Sequence, residues 1–172
     1  MLIAANTGLT IRYDENDARV MGRNARGVRA IRLDEGDYVV GAVAVDDGDT
    51  ILTITENGYG KRSPVEDYRP QSRGGKGIIG QNVTEKTGQL AGIRKVNETD
   101  DLIVISSDGN IIRTKLADIP VYGRASNGVR IMRFNDGVKV MNIATIAQSE
   151  EENILEDNTE NAEIKEVNSN EE

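Results

Sequence analysis

The 172-residue chain carries 21 Lys and Arg against 29 Asp and Glu, and it contains no Cys, no His, no Trp and a single Phe. Those absences exclude disulfides, thiolate chemistry, most zinc sites and the commonest general base, and they leave Ile, Val, Leu and Ala to build a core suited to short β-branched strands. The formal charge of −8 is unevenly placed: residues 150–172 hold ten acidic groups and one Lys, a net of −9, so the preceding 149 residues hold 20 basic and 19 acidic groups, a net of +1.

In chain order the sequence reads as three units of one plan, about 1–47, 50–96 and 102–147. Each opens with an apolar run: Leu2-Ile3-Ala4-Ala5, Ile51-Leu52-Thr53-Ile54 and Leu102-Ile103-Val104-Ile105. A turn follows at Thr7-Gly8, Asn57-Gly58 and Asp108-Gly109, the last two strong hairpin signals because positive φ comes readily there. The return strands are Leu9 to Arg12, Tyr59 to Arg62 and Ile111 to Thr114. After a polar link and a glycine-rich basic bend come two further strands, Val28–Leu33 with Tyr38–Val45, Ile78–Val83 with Gln89–Val96, and Val129–Phe134 with Val138–Ile146. Four short strands per unit with a glycine at each reversal predict an all-β, propeller-like fold of about three blades. Residues 148–172 are too polar to bury surface that offsets ordering entropy, and they read as a disordered acidic tail. The longest apolar run, Tyr38 to Val45, is broken by Gly41 and too short to span a bilayer, and no secretory segment is evident, so a cytoplasmic location is the expectation.

The bends themselves repeat. Gly22-Arg23-Asn24-Ala25-Arg26-Gly27 aligns with Ser72-Arg73-Gly74-Gly75-Lys76-Gly77 and with Gly123-Arg124-Ala125-Ser126-Asn127-Gly128. The closing glycines 27, 77 and 128 keep the same period of 50 or 51 residues as the turn glycines 8, 58 and 109, which marks a repeat architecture. In the second bend Gly74, Gly75 and Gly77 leave backbone N–H groups accessible while Arg73 and Lys76 add charge, a combination suited to phosphate. The spacing is not that of a P-loop. Arg23, Arg26, Arg124, Arg130, Lys61 and Arg62 extend the set of candidate phosphate contacts. The pairs Arg29/Arg130 and Arg32/Arg133 are three apart, which strand alternation would place on opposite faces. Asp14, Asp17, Glu66, Asp67 and Asp118 are the carboxylates expected to pair with some of these cations. No recognition helix, zinc finger or aromatic platform for stacked bases is present, so the expectation is backbone-only binding in which a curved basic rim bends duplex DNA.

Gln71 to Gly77 (QSRGGKG) resembles the gyrase box, QRRGGKG, of the C-terminal domain of bacterial DNA gyrase A, with Ser72 in place of one arginine. The flanking text agrees: Thr55 to Arg62, Asn97 to Leu102 and Ser106 to Gly109, with the bends at Met21-Gly22-Arg23 and Tyr122-Gly123-Arg124. The resemblance covers residues 1 to about 147. It implies a β-pinwheel whose blades are completed by strands of neighbouring units and whose basic perimeter wraps duplex DNA, supporting ATP-dependent negative supercoiling. It further implies the rest of gyrase A, together with gyrase B, as partners. No cofactor belongs to this stretch; ATP and Mg2+ belong to the rest of the implied enzyme, and none of Tyr13, Tyr38, Tyr59, Tyr68 and Tyr122 is catalytic. Such discs usually have about six blades, so three units suggest the C-terminal half of one, with Met1 as an internal methionine and QSRGGKG as a later, degenerate copy of a first-blade box. The corresponding domain of topoisomerase IV is the near alternative, and a protein-binding propeller, insensitive to salt, the distant one. An incomplete disc also leaves a sheet edge open to association.

Overall fold

Short runs rich in Ile, Val, Leu and Thr, closed by glycines that accept a left-handed backbone, become tight antiparallel hairpins. The computed structural model describes residues 1–147; the stretch expected as a disordered tail, 148–172, lies outside the described residues. Eleven strands run in order through these: β1 (Leu2–Ala5), β2 (Leu9–Arg12), β3 (Val39–Val43), β4 (Thr50–Thr55), β5 (Tyr59–Pro64), β6 (Ile78–Ile79), β7 (Leu90–Val96), β8 (Asp100–Ser106), β9 (Ile111–Lys115), β10 (Val129–Arg130) and β11 (Val140–Ala147). Single 3-10 turns over Glu15–Asp17, Val65–Asp67 and Leu116–Asp118 follow β2, β5 and β9, and no helix among the described residues is long and apolar enough to cross a membrane.

The strands form three antiparallel sheets. Their orders are β3-β1-β2-β6, β10-β5-β4-β7 and β11-β8-β9. In each, a hairpin is joined on one side by the long final strand of its own unit. On the other side, β2 is completed by β6 from the second unit and β5 by β10 from the third, while β9 has β8 as its one strand partner among the described residues. The fourth strand of a blade therefore belongs to the next unit, and it is two residues long. The six-residue strands expected at Ile78–Val83 and Val129–Phe134 are cut short because the chain leaves the ladder to turn inward at Gln81 and Met132, both buried. Val28–Leu33, expected as a strand, pairs with no hairpin among the described residues and has no strand conformation. A strand is defined by its ladder, and its counterparts acquire theirs only from the hairpin of the preceding unit.

The core lies between the blades. Leu2, Ala4, Ile51, Val65, Tyr68, Leu90 and Ile93 pack where the first sheet meets the second. Leu52, Ile54, Val96, Leu102, Val104, Leu116, Ile119, Val140 and Ile143 do the same for the second and third. The sheets approach closely because glycine stands where they touch: a Cβ at Gly41 would lie 2.8 Å from Ile93 Cγ2, and one at Gly92 2.6 Å from Ile143 Cδ1. Each blade thus buries its hydrophobic face on its neighbour, as a repeat unit must.

Candidate nucleic-acid interface

Bends two and three each sit at a junction between units, clamped to the unit before. In bend two, Gly74 N donates to Ala30 O at 2.6 Å, Arg32 N to Gly75 O at 2.8 Å and Gln71 N to Arg12 O at 2.8 Å. In bend three the corresponding bonds are Asn82 N to Ser126 O at 3.2 Å and Tyr122 N to Arg62 O at 2.8 Å. The arginines repeat this geometry. Arg73 donates through Nη1 to Arg29 O at 3.3 Å and through Nε to Asp17 O at 3.0 Å, and Arg124 Nη1 donates to Ile79 O, the counterpart of Arg29 O. Carbonyls hold the two guanidiniums in place without neutralising them, which leaves their charge at the surface in a fixed position.

The glycines serve a different end from the one expected. Gly74 N–H is engaged by Ala30 O rather than left for a ligand. Gly77 and Gly128 have φ of 81° and 71°, and a Cβ there would lie 2.4 Å from Thr10 O and Gly60 O respectively. They let the bend press onto the backbone of the preceding hairpin. Gly27 has the same left-handed φ of 76°, with nothing among the described residues within 4 Å of its Cβ position.

Arg23 and Arg26 are exposed on bend one, and Lys76 and Arg130 are exposed as well. Lys76 forms an exposed pair with Asp34 at 3.4 Å. Arg130 caps the Tyr59 ring at 5.2 Å from its centroid and donates to the phenol oxygen at 3.1 and 2.7 Å, with Lys86 Nζ 5.6 Å from the same ring. Burial acts to raise the Tyr59 phenol, but the hydrogen bond and charge of Arg130, with the charge of Lys86, bring it below its ordinary value. Tyr59, Lys86, Arg130 and Arg133 line a polar groove of about 350 Å³. Lys86 escaped sequence reasoning because it stands in the turn before Gly88, outside the repeated bend, where the other units have no lysine. Arg29, Arg32, Arg130 and Arg133 are all exposed. The conflict with strand alternation disappears because the ladder ends at Arg130, two residues before Met132 turns inward.

Lys61 and Arg62 do not reach the surface. Lys61 is fully buried, and its ammonium donates to Gly123 O and Ser126 O, each at 3.0 Å, and to Arg124 O. It is a strut beneath bend three, in the place that Ile11 takes beneath bend two. Burial pushes its pKa down to about 8, with Asp67 opposing and Arg124 reinforcing the shift. Arg62 donates through Nε to Ile119 O at 2.6 Å and pairs with Glu98 at 3.2 Å. The carboxylates that form ion pairs also differ from those expected: Asp47 meets Arg12, Glu98 meets Arg62, and Asp46 and Asp49 meet Lys95. Asp67 instead accepts from the Arg124 backbone N–H at 3.3 Å. Among the described residues, no cluster of three or more acidic side chains is arranged to hold a metal ion.

The chain matches the family described as DNA gyrase C-terminal domain, beta-propeller, three times, over residues 1–46, 49–97 and 100–147. It is 42% identical over 158 residues to DNA gyrase A of Helicobacter pylori (strain ATCC 700392 / 26695), covering 91% of this chain and 19% of that protein. It is likewise 42% identical over 159 residues to DNA gyrase A of Staphylococcus aureus (strain NCTC 8325 / PS 47), covering 91% and 18%. The chain thus spans about a fifth of the length of these relatives. Among solved structures, a DNA gyrase A C-terminal domain superposes with a TM-score of 0.76 at 24% identity over 84% of this chain and 50% of that one. The C-terminal domain of DNA topoisomerase IV superposes at 0.78 with 20% identity over 85% and 46%. At those identities the two likenesses establish the β-pinwheel fold.

Proposed function

This chain belongs to the DNA gyrase C-terminal domain family, and from that premise we propose that it binds duplex DNA along its blade junctions and wraps it. The observation that carries this reading is the repeated pinning of Arg73 and Arg124 by equivalent carbonyls at successive junctions. Cations held at fixed intervals on a rigid scaffold offer a polyanion a curved row of contacts. Lys76 and Arg130 add exposed charge beside each. Phosphate contacts position a duplex without reading its bases, so affinity depends on salt and on the ease of bending the DNA.

In this reading the domain works with the rest of gyrase A and with gyrase B, presenting wrapped DNA for ATP-dependent negative supercoiling. ATP and Mg2+ act elsewhere in that assembly. The 42% identity to gyrase A proteins favours gyrase over the topoisomerase IV counterpart. The test is twofold. With about four phosphates neutralised, log K falls against log salt with a slope of about −3.6. Sealing nicked circles with ligase in the presence of the domain then shifts their linking number if the DNA is wrapped. Salt-independent binding, or binding with no topological shift, overturns the wrapping role.

A further inference from the structure

One buried pair breaks the apolar pattern of the repeat. Stepping by the repeat period aligns Gln81 with Ile31 and Met132, and Thr53 with Ile3 and Val104. All six are buried. Ile3 packs with Ile31 in one cluster, and Val104 with Met132 in another. In the second of the three units the pair is polar instead. Thr53 Oγ1 donates to Gln81 Oε1 at 2.8 Å, and Gln81 Nε2 donates to Asn127 O at 2.8 Å. A backbone carbonyl only accepts, so the amide nitrogen must face Asn127 and the amide oxygen the hydroxyl.

Gln81 stands in a segment that two junctions share. Residues 79–82 rest on the first unit through Gly80 N and Gln81 N, which donate to Gly8 O at 2.8 and 3.2 Å. The same residues carry bend three. Ile79 O accepts from Arg124 Nη1, Asn82 N donates to Ser126 O at 3.2 Å, and Asn82 Nδ2 donates to Asn127 Oδ1 at 2.5 Å. Bend two is seated differently: Gly74 N donates to Ala30 O at 2.6 Å, and the next residue is the apolar Ile31. The Asn82–Asn127 side-chain bond is exposed, where water competes for both groups, whereas Gln81 is 1% exposed. A buried amide without its partners is costly, so the bond from Gln81 to Asn127 O admits one seating of bend three.

We propose that Gln81 is a positioning residue for DNA binding at bend three: by holding Asn127 O it fixes the bend on residues 79–82 and presents Arg124 to the duplex in register with Arg73. The assignment rests on the reading that the bends contact duplex DNA. Stability does not call for a polar pair here, because the first and third units fill the same two places with apolar side chains. What the polar pair adds is direction. Apolar packing tolerates a bend that slides, and a hydrogen bond to one carbonyl does not. The segment that fixes bend three is itself seated on the first unit, so the contacts at bends two and three share one rigid support.

The test uses the full 172-residue chain. Gln81→Met with Thr53→Val installs the pair that the third unit already carries, and the fold is expected to hold because both polar partners go at once. Gln81→Met alone strands the Thr53 hydroxyl, so urea denaturation is expected to show a loss that Thr53→Val restores. Without DNA, hydrogen exchange in the double variant is expected to quicken about tenfold at the Asn82 N–H and to stay unchanged at the Gly74 N–H. In duplex binding, Arg124→Ala is expected to weaken affinity about fivefold in the otherwise unsubstituted chain and about twofold in the double variant, while Arg73→Ala weakens it about fivefold in both. Exchange that quickens equally at the two amides, or arginine losses that shrink together, makes Gln81 a general stabiliser and overturns the proposal. An Arg124 loss as large in the double variant as outside it overturns the proposal and leaves the DNA reading standing. If neither arginine affects affinity in the otherwise unsubstituted chain, the DNA reading falls and the proposal falls with it.

Discussion

Gly27 and Gly77 hold the same place in a repeated bend and share a left-handed backbone, with φ of 76° and 81°, yet their surroundings differ. Around Gly27 there is open space; a Cβ on Gly77 would meet Thr10 O at 2.4 Å. The same local sequence logic makes both turns, while the hairpin of a preceding unit decides which bend is seated. Seating in turn fixes the arginine: Arg73 is held by two carbonyls of the first unit, whereas Arg23 is exposed on a bend that has no hairpin beneath it among the described residues. If fixed cations are what a duplex reads, the two bends must differ in stability and in affinity.

The largest expected effect is on stability. Gly77→Ala combines left-handed strain with a backbone collision and is expected to cost about 3 kcal/mol, whereas Gly27→Ala meets only the strain, about 1 kcal/mol. Urea denaturation of the two variants measures the gap, and equal losses would break the comparison. Next comes the strut. Lys61→Met leaves the carbonyls of Gly123, Arg124 and Ser126 without their donor, at a cost of about 2 kcal/mol, and loosens bend three while bend two, resting on Ile11, keeps its affinity contribution.

Binding follows. Arg73→Ala is expected to weaken duplex affinity about fivefold, close to 1 kcal/mol, equally for all sequences, and Arg23→Ala about twofold because an unheld side chain loses more entropy on contact. Fluorescence anisotropy at a fixed salt concentration compares them; a larger loss at Arg23 would reverse the ranking of the bends. A smaller effect comes from pH. Lys61 has a folded pKa of about 8, below its ordinary 10.5, so above pH 8 the unfolded chain binds more protons and the Lys61 contribution raises stability with pH. Tyr68 acts in the opposite sense above pH 10, because burial raises its phenol to about 12. Denaturation at pH 7.5 and 9.5 is expected to show a rise in the unsubstituted chain that Lys61→Met removes. The smallest effect concerns the acidic stretch: deleting residues 150–172 removes a net charge of −9, and it is expected to tighten DNA binding at low salt and leave it unchanged at high salt, where charges are screened. Unchanged affinity at low salt would mean that the stretch does not compete for the bends.

Much of the fold was legible because its markers are local. Glycines at 8, 58 and 109 and at 27, 77 and 128 each answer to a backbone requirement of their own neighbourhood, so their spacing reveals the repeat. The site was only partly legible. Lys76 and Arg130 are exposed and Arg73 and Arg124 half-buried, but Lys61 and Arg62, equally basic in sequence, are buried. Nothing in Tyr59-Gly60-Lys61-Arg62 announces that the ammonium will enter a cage of carbonyls sixty residues further on, because the cage comes from a different unit. Lys86 was missed for the converse reason: its partner Tyr59 is brought to it by tertiary packing, in a turn where the other units carry no lysine.

The sequence by itself determined the hairpins, the turn chemistry, the three-unit period and the family, since each depends on which residues can adopt a conformation over a few positions. Tertiary structure decided which segments become strands at all. Ile78–Ile79 and Val129–Arg130 gain a ladder from the hairpin of the unit before, while the equivalent Val28–Arg29 has none among the described residues. It also decided which cations face solvent and which support the bends. Hydrogen-bond partners and desolvation are properties of the assembled neighbourhood, and no residue carries them in its identity alone.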